Sequence, residues 1–385
     1  MTTEKLLMTP GPTMLPPSVL EVMRRQIIHH RTKDFEQTLD ALQQGLKHVY
    51  GTKQVVITLA SSGSGAMEAC VSNLFSVNDK VLAVSIGNFG DRFAKIAQCF
   101  GLDVIRLDYE WGKAAVKEDI KAILDKEKDI KGILITHNET STGVSNDIKA
   151  ISELTRDTDI LLCVDAISAL GGLEMRFDEW GIDCVVAGSQ KALMAPPGLG
   201  FIALSEKAWN AVKSSNIPKF YFDLKKYKAG IEGLGANPPY TPAITTMMAQ
   251  AEALKLIMEE GLENIYERHR RLALATQKGV KALGLELLPD EKDSSYIITA
   301  VRAPEGINIK NVINRMNNEF DIMITGGQGK LKGNIFRIGH CGYCSGTDII
   351  KTFSALEICL EKEGYKFESG MAVKAIQNEL RGERI

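Results

Sequence analysis

A chain of 385 residues, 44% hydrophobic and 24% charged, is long enough to bury a large core and to divide into two domains. Its net charge of -2 leaves no electrostatic footprint for nucleic acid or an anionic membrane, and no apolar run approaches the length of a membrane span. Seven irregularly spaced cysteines, and a start at Met1–Lys5 without the basic and apolar regions of a signal peptide, lead us to expect a cytoplasmic protein with reduced thiols.

Leu7 to Thr13 opens with a Pro/Gly cluster, so the first segment reads as an ordered arm. Helices are expected from Pro17 to Ile28 and from Asp34 to Tyr50, the second with Phe35, Leu39, Leu42, Leu46 and Val49 at helical spacing. His29 and His30 between them are adjacent, and adjacent residues rarely face one ion, so a positioning or structural role is favoured over metal binding. The strand Val55–Leu59 runs into Ser61-Ser62-Gly63-Ser64-Gly65 and then a helix beginning near Ala66. A turn of this kind is either simply flexible or an anion cradle, with free backbone N–H groups at the positive end of a helix. A dinucleotide site is disfavoured: the third glycine of that fingerprint is missing, and the next strand, Val81–Ile86, ends in Gly87-Asn88-Phe89-Gly90 with no acid.

Strands and helices then alternate. Ile133–Thr136 leads into His137-Asn138-Glu139-Thr140. A helix is expected near Asp147–Thr155, and Ile160–Val164 ends on Asp165. Asp183–Ala187 leads to Ser189-Gln190-Lys191, and Phe201–Leu204 follows. Continuous apolar strands alternating with helices specify an α/β fold with a mainly parallel sheet covered on both faces, whose ligands bind beyond the carboxyl ends of the strands. The Gly/Ser turn, Phe89, Thr140, Asp165 and Lys191 are therefore expected to converge. The texture changes from about Asn237. Long helices run from Ile244 to about Gly261 and from Leu262 to Leu283. Short strands (Tyr296–Val301, Ile335–Ile338) and helices (Asn308–Glu319, Thr347–Glu363) then read as a smaller α+β domain. The division expected is an arm over 1–20, a large domain over 21–262 and a small domain over 263–385.

Lys191 stands out among the lysines. It sits at the mouth of a buried strand in a loop stiffened by Pro196, Pro197, Gly198 and Gly200, beside apolar neighbours. An amine held against apolar surface loses its proton more easily and can condense with a carbonyl, which makes Lys191 a candidate Schiff-base lysine. One ligand accounts for such a lysine together with an anion cradle, a strand-end aspartate and an aromatic: pyridoxal 5′-phosphate. Its phosphate would sit on Ser62, Gly63 and Ser64, Asp165 would keep the ring nitrogen protonated, and Phe89 would stack on the ring. Asp165 as a helix cap and Phe89 as core are the plainer alternatives. Arg337, on the apolar run Asn334–Gly339, needs a partner there, and a substrate carboxylate gripped by both arms of the guanidinium is a good one.

Along nearly its whole length the chain resembles the class V, fold-type I pyridoxal-phosphate aminotransferases of the alanine–glyoxylate and serine–pyruvate (serine–glyoxylate) group. The resemblance rests on Thr9–Thr13, His30-Arg31-Thr32, Ser62–Gly65, Thr136–Gly143, Val164–Ser168, Gly188–Leu193, Ala195–Gly198 and Arg337–Gly339. It implies a seven-stranded sheet, with Lys191 carrying the cofactor as a Schiff base and Asp165 paired with the pyridine nitrogen. It further implies that Ile167 packs on the ring, Thr140 lies on the phenolic-oxygen side, Gln190 contacts the phosphate and Arg337 binds the substrate carboxylate. It also implies a homodimer with shared active sites, in which Tyr240 and Thr241 reach the phosphate of the partner subunit. Two departures stand out: Phe89 offers no N–H where relatives often have Trp, and Gly65 is small where some relatives are bulkier.

Rival readings fare less well. The related cysteine desulfurases need a cysteine in the loop before the arginine, and Met323–Phe336 contains none. Cys341 and Cys344 follow Arg337, and a zinc site built on them lacks a second pair, so no metal is expected. Members of this family have been described as subunits of soluble hydrogenases, but a pure scaffold has no physical need for Lys191, Asp165 and Arg337 together. The resulting expectation is transfer of an amino group from alanine or serine to glyoxylate or pyruvate. A ureido- or phosphono-amino acid is the alternative donor.

Overall fold

The computed structural model describes residues 4–233 and 238–381. The start of the expected texture change at Asn237, and Met1–Thr3, lie outside them. The large sheet has seven strands, in the spatial order Val56–Ala60, Leu199–Leu204, Cys184–Gly188, Leu161–Asp165, Ile130–Thr136, Lys80–Ser85 and Asp103–Asp108. Four of its six pairings are parallel, as expected of a mainly parallel sheet. Leu199–Leu204 alone runs antiparallel, to both of its neighbours, and every other pairing is parallel.

Alternation along the strands shows why both faces are covered. Leu82, Val84, Ile133, Ile135, Leu162 and Val164 point into one core with Leu42, Leu46 and Val49 of the helix Lys33–Tyr50. Val81, Ala83, Leu134, Cys163 and Val186 point into the other with Met67, Cys70 and Val71 of the helix Gly63–Leu74. A period of two with apolar residues in both phases is the pattern of a strand buried on both sides.

A third core gathers Leu272, Val301, Phe336, Ile338, Phe353 and Leu356 around the sheet Ile298–Arg302, Ile335–Gly339 and Thr325–Gly326. The arm joins this core rather than the large sheet: Leu6–Leu7 pairs in parallel with Ile322–Met323, and Met8 is buried there. The helix Leu262–Ala282 passes between cores, with Ile265 in the first and Leu272, Ala275 and Val280 in the third.

Several elements differ from their expected bounds for local reasons. The helix expected to reach Ile28 stops at Met23: Val19 and Val22 are buried, Leu20, Met23 and Ile27 stay exposed, and Ile28 packs on the first core from beyond the helix end. The one expected over Asp147–Thr155 is the short Ile148–Ser152. Asp147 caps its start by accepting from Ala150 N, and the hydroxyls of Ser152, Thr155 and Thr158 turn back onto carbonyls three residues earlier. The difference that matters most for the site is at Ser62: the glycine- and serine-rich stretch is itself the first helical turn, since the helix begins at Gly63.

Candidate active site

The carboxyl ends of the parallel strands deliver the expected side chains to one place. Asp165 closes the strand Leu161–Asp165 and is 3% exposed, and its Oδ1 accepts from Ile167 N at 2.9 Å. The Ile167 side chain then fills the gap between cradle and lysine loop. A Cβ on Gly63 would lie 2.6 Å from Ile167 Cδ1, and one on Gly188 would lie 3.4 Å from Ile167 Cγ2. Gly63 is therefore glycine because the helix start and the Ile167 side chain meet without a gap.

At that helix start the Ser62 carbonyl accepts from Gly65 N and Ala66 N, while the Ser62 side chain makes no capping bond. The N–H groups of Gly63 and Ser64 have no acceptor among the described residues, so two donors and the positive end of a 12-residue helix face the crevice. Gln190 adds a polar end there, since its Oε1 is buried without a partner.

Lys191 turns in toward the arm. Its Nζ donates to the carbonyl of Pro10 at 2.7 Å, and Thr13 Oγ1 donates to its backbone carbonyl at 3.1 Å. Gly11, at φ +131°, lies so close that a Cβ would stand 2.4 Å from Lys191 Cδ and 2.6 Å from Nζ. Burial lowers the pKa of Lys191, and the nearby charges of Arg337 and Arg92 lower it further against the opposing pull of Cys341 and Asp165. Burial likewise raises Asp165 to about 7, with Glu139 adding to the shift and Ile167 N–H, Arg92 and Lys191 opposing it.

Arg337 completes the set from the small-domain strand Ile335–Gly339. Its Nη1 donates to the Thr140 carbonyl at 2.8 Å, and its Nε and Nη2 donate to the Gly326 carbonyl at 3.0 and 2.8 Å. It is 3% exposed, no carboxylate among the described residues stands within ion-pair reach, and burial lowers its pKa to about 10. A guanidinium fixed by neutral carbonyls, with donors to spare and no counter-ion, is set to take an anion. Thr140 therefore takes part through its backbone as well as its place in the turn.

Sequence reasoning missed three participants. Glu139, fully buried, accepts Phe89 N at 2.9 Å and Gly90 N at 3.1 Å through Oε2, and Ser141 N and Oγ through Oε1. It ties the loop of Phe89 to that of Thr140, and its place inside a motif already singled out was the available signal. Burial raises its pKa against these four bonds. Arg92, one helical turn after Phe89, holds its guanidinium 4.7 Å from the Phe89 ring centroid and donates from Nη1 to Ser64 Oγ at 3.1 Å. Pro10 acts through a carbonyl, which no side-chain pattern reveals.

Tyr240 and Thr241 stand apart from this group within one chain. Tyr240 stacks on Tyr221 at 4.9 Å and donates its hydroxyl to the Phe220 carbonyl at 2.7 Å, and Thr241 is exposed. The open surface hollow beside Trp209, Lys213 and Lys228 is also remote, and it holds none of the groups described above. Cys341 and Cys344 are pushed up by burial, Cys341 to about 11, so both are neutral thiols at ordinary pH.

The aminotransferase class-V family model matches residues 6–333. The chain is 42% identical over 374 residues to the small subunit of a soluble hydrogenase of Synechococcus sp., covering 96% of this chain and 97% of that one. It is 36% identical over 390 residues to the serine–glyoxylate aminotransferase of Methylorubrum extorquens, covering 97% and 96%. The crystal structure of ureidoglycine–glyoxylate aminotransferase from Bacillus subtilis superposes with a TM-score of 0.94 at 32% identity, over 99% of each chain. With its strand-end aspartate, enclosed lysine and carbonyl-held arginine on a fold-type I scaffold, the chain belongs to the class-V aminotransferases.

Proposed function

We propose that this aminotransferase works with pyridoxal 5′-phosphate and moves the amino group of serine or alanine to glyoxylate or pyruvate. The observation that carries the reading is the meeting of the Lys191 amine, the Asp165 carboxylate and the Arg337 guanidinium at the carboxyl edge of one sheet. The residues present fit the cofactor. The open N–H groups of Gly63 and Ser64 suit its phosphate, and Gln190 Oε1 is a buried polar end without a partner there. Asp165 has one hydrogen bond and a carboxylate that burial alone disfavours, as expected of a group waiting for a cationic partner.

When bound, the cofactor supplies an aldehyde carbon for Lys191 and a ring that accepts electrons from the substrate. The chain supplies the rest. Arg337 takes the substrate carboxylate in two parallel bonds, which fixes the orientation of Cα. Lys191, its pKa lowered and its amine freed when the substrate amine takes its place, would remove the Cα proton and pass it to the cofactor carbon, and Pro10 C=O orients that amine. Asp165 holds a proton at the ring nitrogen. Phe89 and Ile167 would bound the ring, and Thr140 would lie on its phenolic-oxygen side.

The same proposal includes a homodimer in which Tyr240 and Thr241 complete the partner subunit's phosphate site. Apolar Leu20, Met23 and Ile27, 36% to 59% exposed near one another in sequence, support a covered surface. It also includes the division into 1–20, 21–262 and 263–385, which the passage of one helix between two cores supports. A cytoplasmic location is proposed too; no helix among the described residues is long and apolar enough to cross a membrane.

The relative named as a hydrogenase subunit does not favour a scaffold role, because an unpaired buried arginine and a raised aspartate cost stability that a scaffold would have no reason to bear. A ureido-amino acid donor stays the second reading through the likeness to the Bacillus subtilis enzyme. Incubating the reconstituted protein with single amino acids and either glyoxylate or pyruvate tests both. Faster formation of glycine from glyoxylate with serine or alanine as donor, or of alanine from pyruvate with serine, supports the first, and transfer from no donor overturns it.

A further inference from the structure

Arg92 is a cation without an assigned task. It is half-buried, no carboxylate among the described residues comes within ion-pair reach, and its neighbour Asp91 is taken up by Arg106. Surface arginines need no partner, but this one turns inward: its charge is felt at both Asp165 and Lys191. One of its N–H groups goes to Ser64 Oγ at 3.1 Å, and Ser64 N is one of the two open donors of the helix start. Its guanidinium lies 4.7 Å from the centroid of Phe89, whose N–H is in turn fixed by Glu139. Five donors in a planar fork are only partly used by a single hydroxyl, and the fork geometry matches phosphate oxygens.

We propose that Arg92 is a phosphate-anchoring residue of the cofactor site, adding a formal positive charge to the amide cradle of Gly63 and Ser64 while holding the Phe89 ring. Two open amides and a helix dipole amount to about half a charge, which leaves most of a dianion uncompensated. Arg92 supplies the missing charge from the side, with Ser64 Oγ linking it to the cradle. The two functions of the residue are separable. Charge acts only on a ligand that carries phosphate, whereas support of Phe89 acts on any pyridoxal ring.

This inference rests on the pyridoxal-phosphate reading, and the test distinguishes the two. Cofactor-free wild type, Arg92→Met and Arg92→Lys are titrated with pyridoxal 5′-phosphate and, separately, with unphosphorylated pyridoxal. Thermal unfolding in inorganic phosphate is followed for all three. Loss of a charge-assisted contact predicts roughly 10- to 100-fold weaker binding of pyridoxal 5′-phosphate by Arg92→Met. Pyridoxal binding should stay within about twofold, and Arg92→Lys should recover much of the loss because a point charge still acts on phosphate. Inorganic phosphate should raise the unfolding temperature of wild type and fail to do so for Arg92→Met. An equal loss for both ligands would reduce Arg92 to a prop for Phe89 and overturn the proposal, as would unchanged pyridoxal 5′-phosphate affinity. If wild type bound neither ring compound, the cofactor reading would fail, and the inorganic phosphate result would still decide whether Arg92 holds an anion. Arg92→Lys keeps a cation on a stem of similar length, so it separates loss of charge from misfolding.

Discussion

Asp165→Asn should stabilise the cofactor-free protein while it damages the enzyme. In the cofactor-free protein burial raises the carboxyl from 3.8 to about 7. The raised value means that the folded state prefers the protonated form. The contribution to stability is fully present below about pH 4 and is lost as pH rises through about 7. Three pH units at about 1.4 kcal/mol each give a cost of about 4 kcal/mol at pH 8, an upper figure because local relaxation softens buried charges. Roughly 2 to 3 kcal/mol of it develops between pH 5 and pH 8. Asparagine keeps the shape without the charge, so that pH-dependent cost should vanish, whatever constant offset the amide adds. Glu139, also raised by burial, is present in both proteins, and to first order its effect cancels. The assay is urea unfolding of cofactor-free wild type and variant at pH 5 and pH 8. The expected result is a variant that gains on wild type as pH rises and yet transfers amino groups at least about 100-fold more slowly, because nothing holds the ring-nitrogen proton. Parallel pH profiles would refute the claim that Asp165 is a costly buried carboxylate kept for a cationic ligand.

Arg337→Lys keeps the charge but loses the fork that bonds Thr140 and Gly326, so KM for the amino donor should rise roughly 10- to 100-fold with a smaller change in kcat. Steady-state kinetics with L-serine and L-alanine decide it, and an unchanged KM would place the substrate carboxylate elsewhere. Gly11→Ala introduces a methyl 2.4 Å from Lys191 Cδ and 2.6 Å from its Nζ and forces an alanine to φ +131°, a conformation costing on the order of 1–3 kcal/mol. The variant should unfold at lower temperature and load pyridoxal phosphate more slowly; loading at the wild-type rate would separate the arm from the lysine.

The sequence carried the large sheet well because its strands are apolar in both phases, a pattern strong enough to place Asp165 and Lys191 at strand ends. The edge strand Asp103–Asp108 was not read, since its charged and half-exposed residues carry no such signal. Side chains with a chemical signature, Lys191, Asp165 and Arg337, were legible as candidates. What holds them was not. The carbonyls of Pro10, Thr140 and Gly326 belong to the backbone, and their roles exist only once a residue near position 10 meets one near 191, or one near 140 meets one near 337. Arg92 was hidden for a different reason: on an amphipathic helix an arginine one turn from an aromatic is ordinary, and only the meeting with Ser64 sets it apart. Tyr240 and Thr241 remain proposals that depend on a second copy of the chain.

Lys191 Nζ, enclosed by Pro10 and Gly11 and lowered in pKa, is the amine we propose to hold pyridoxal phosphate. The direct measurement is the visible absorption of purified protein after addition of pyridoxal phosphate, for wild type and Lys191→Ala, followed by borohydride reduction and peptide mapping. We predict a band in the wild type that L-serine or L-alanine bleaches, no such band in Lys191→Ala, and a reduced adduct on the peptide containing Lys191. A wild type without the band, or an adduct on another lysine, would contradict the account.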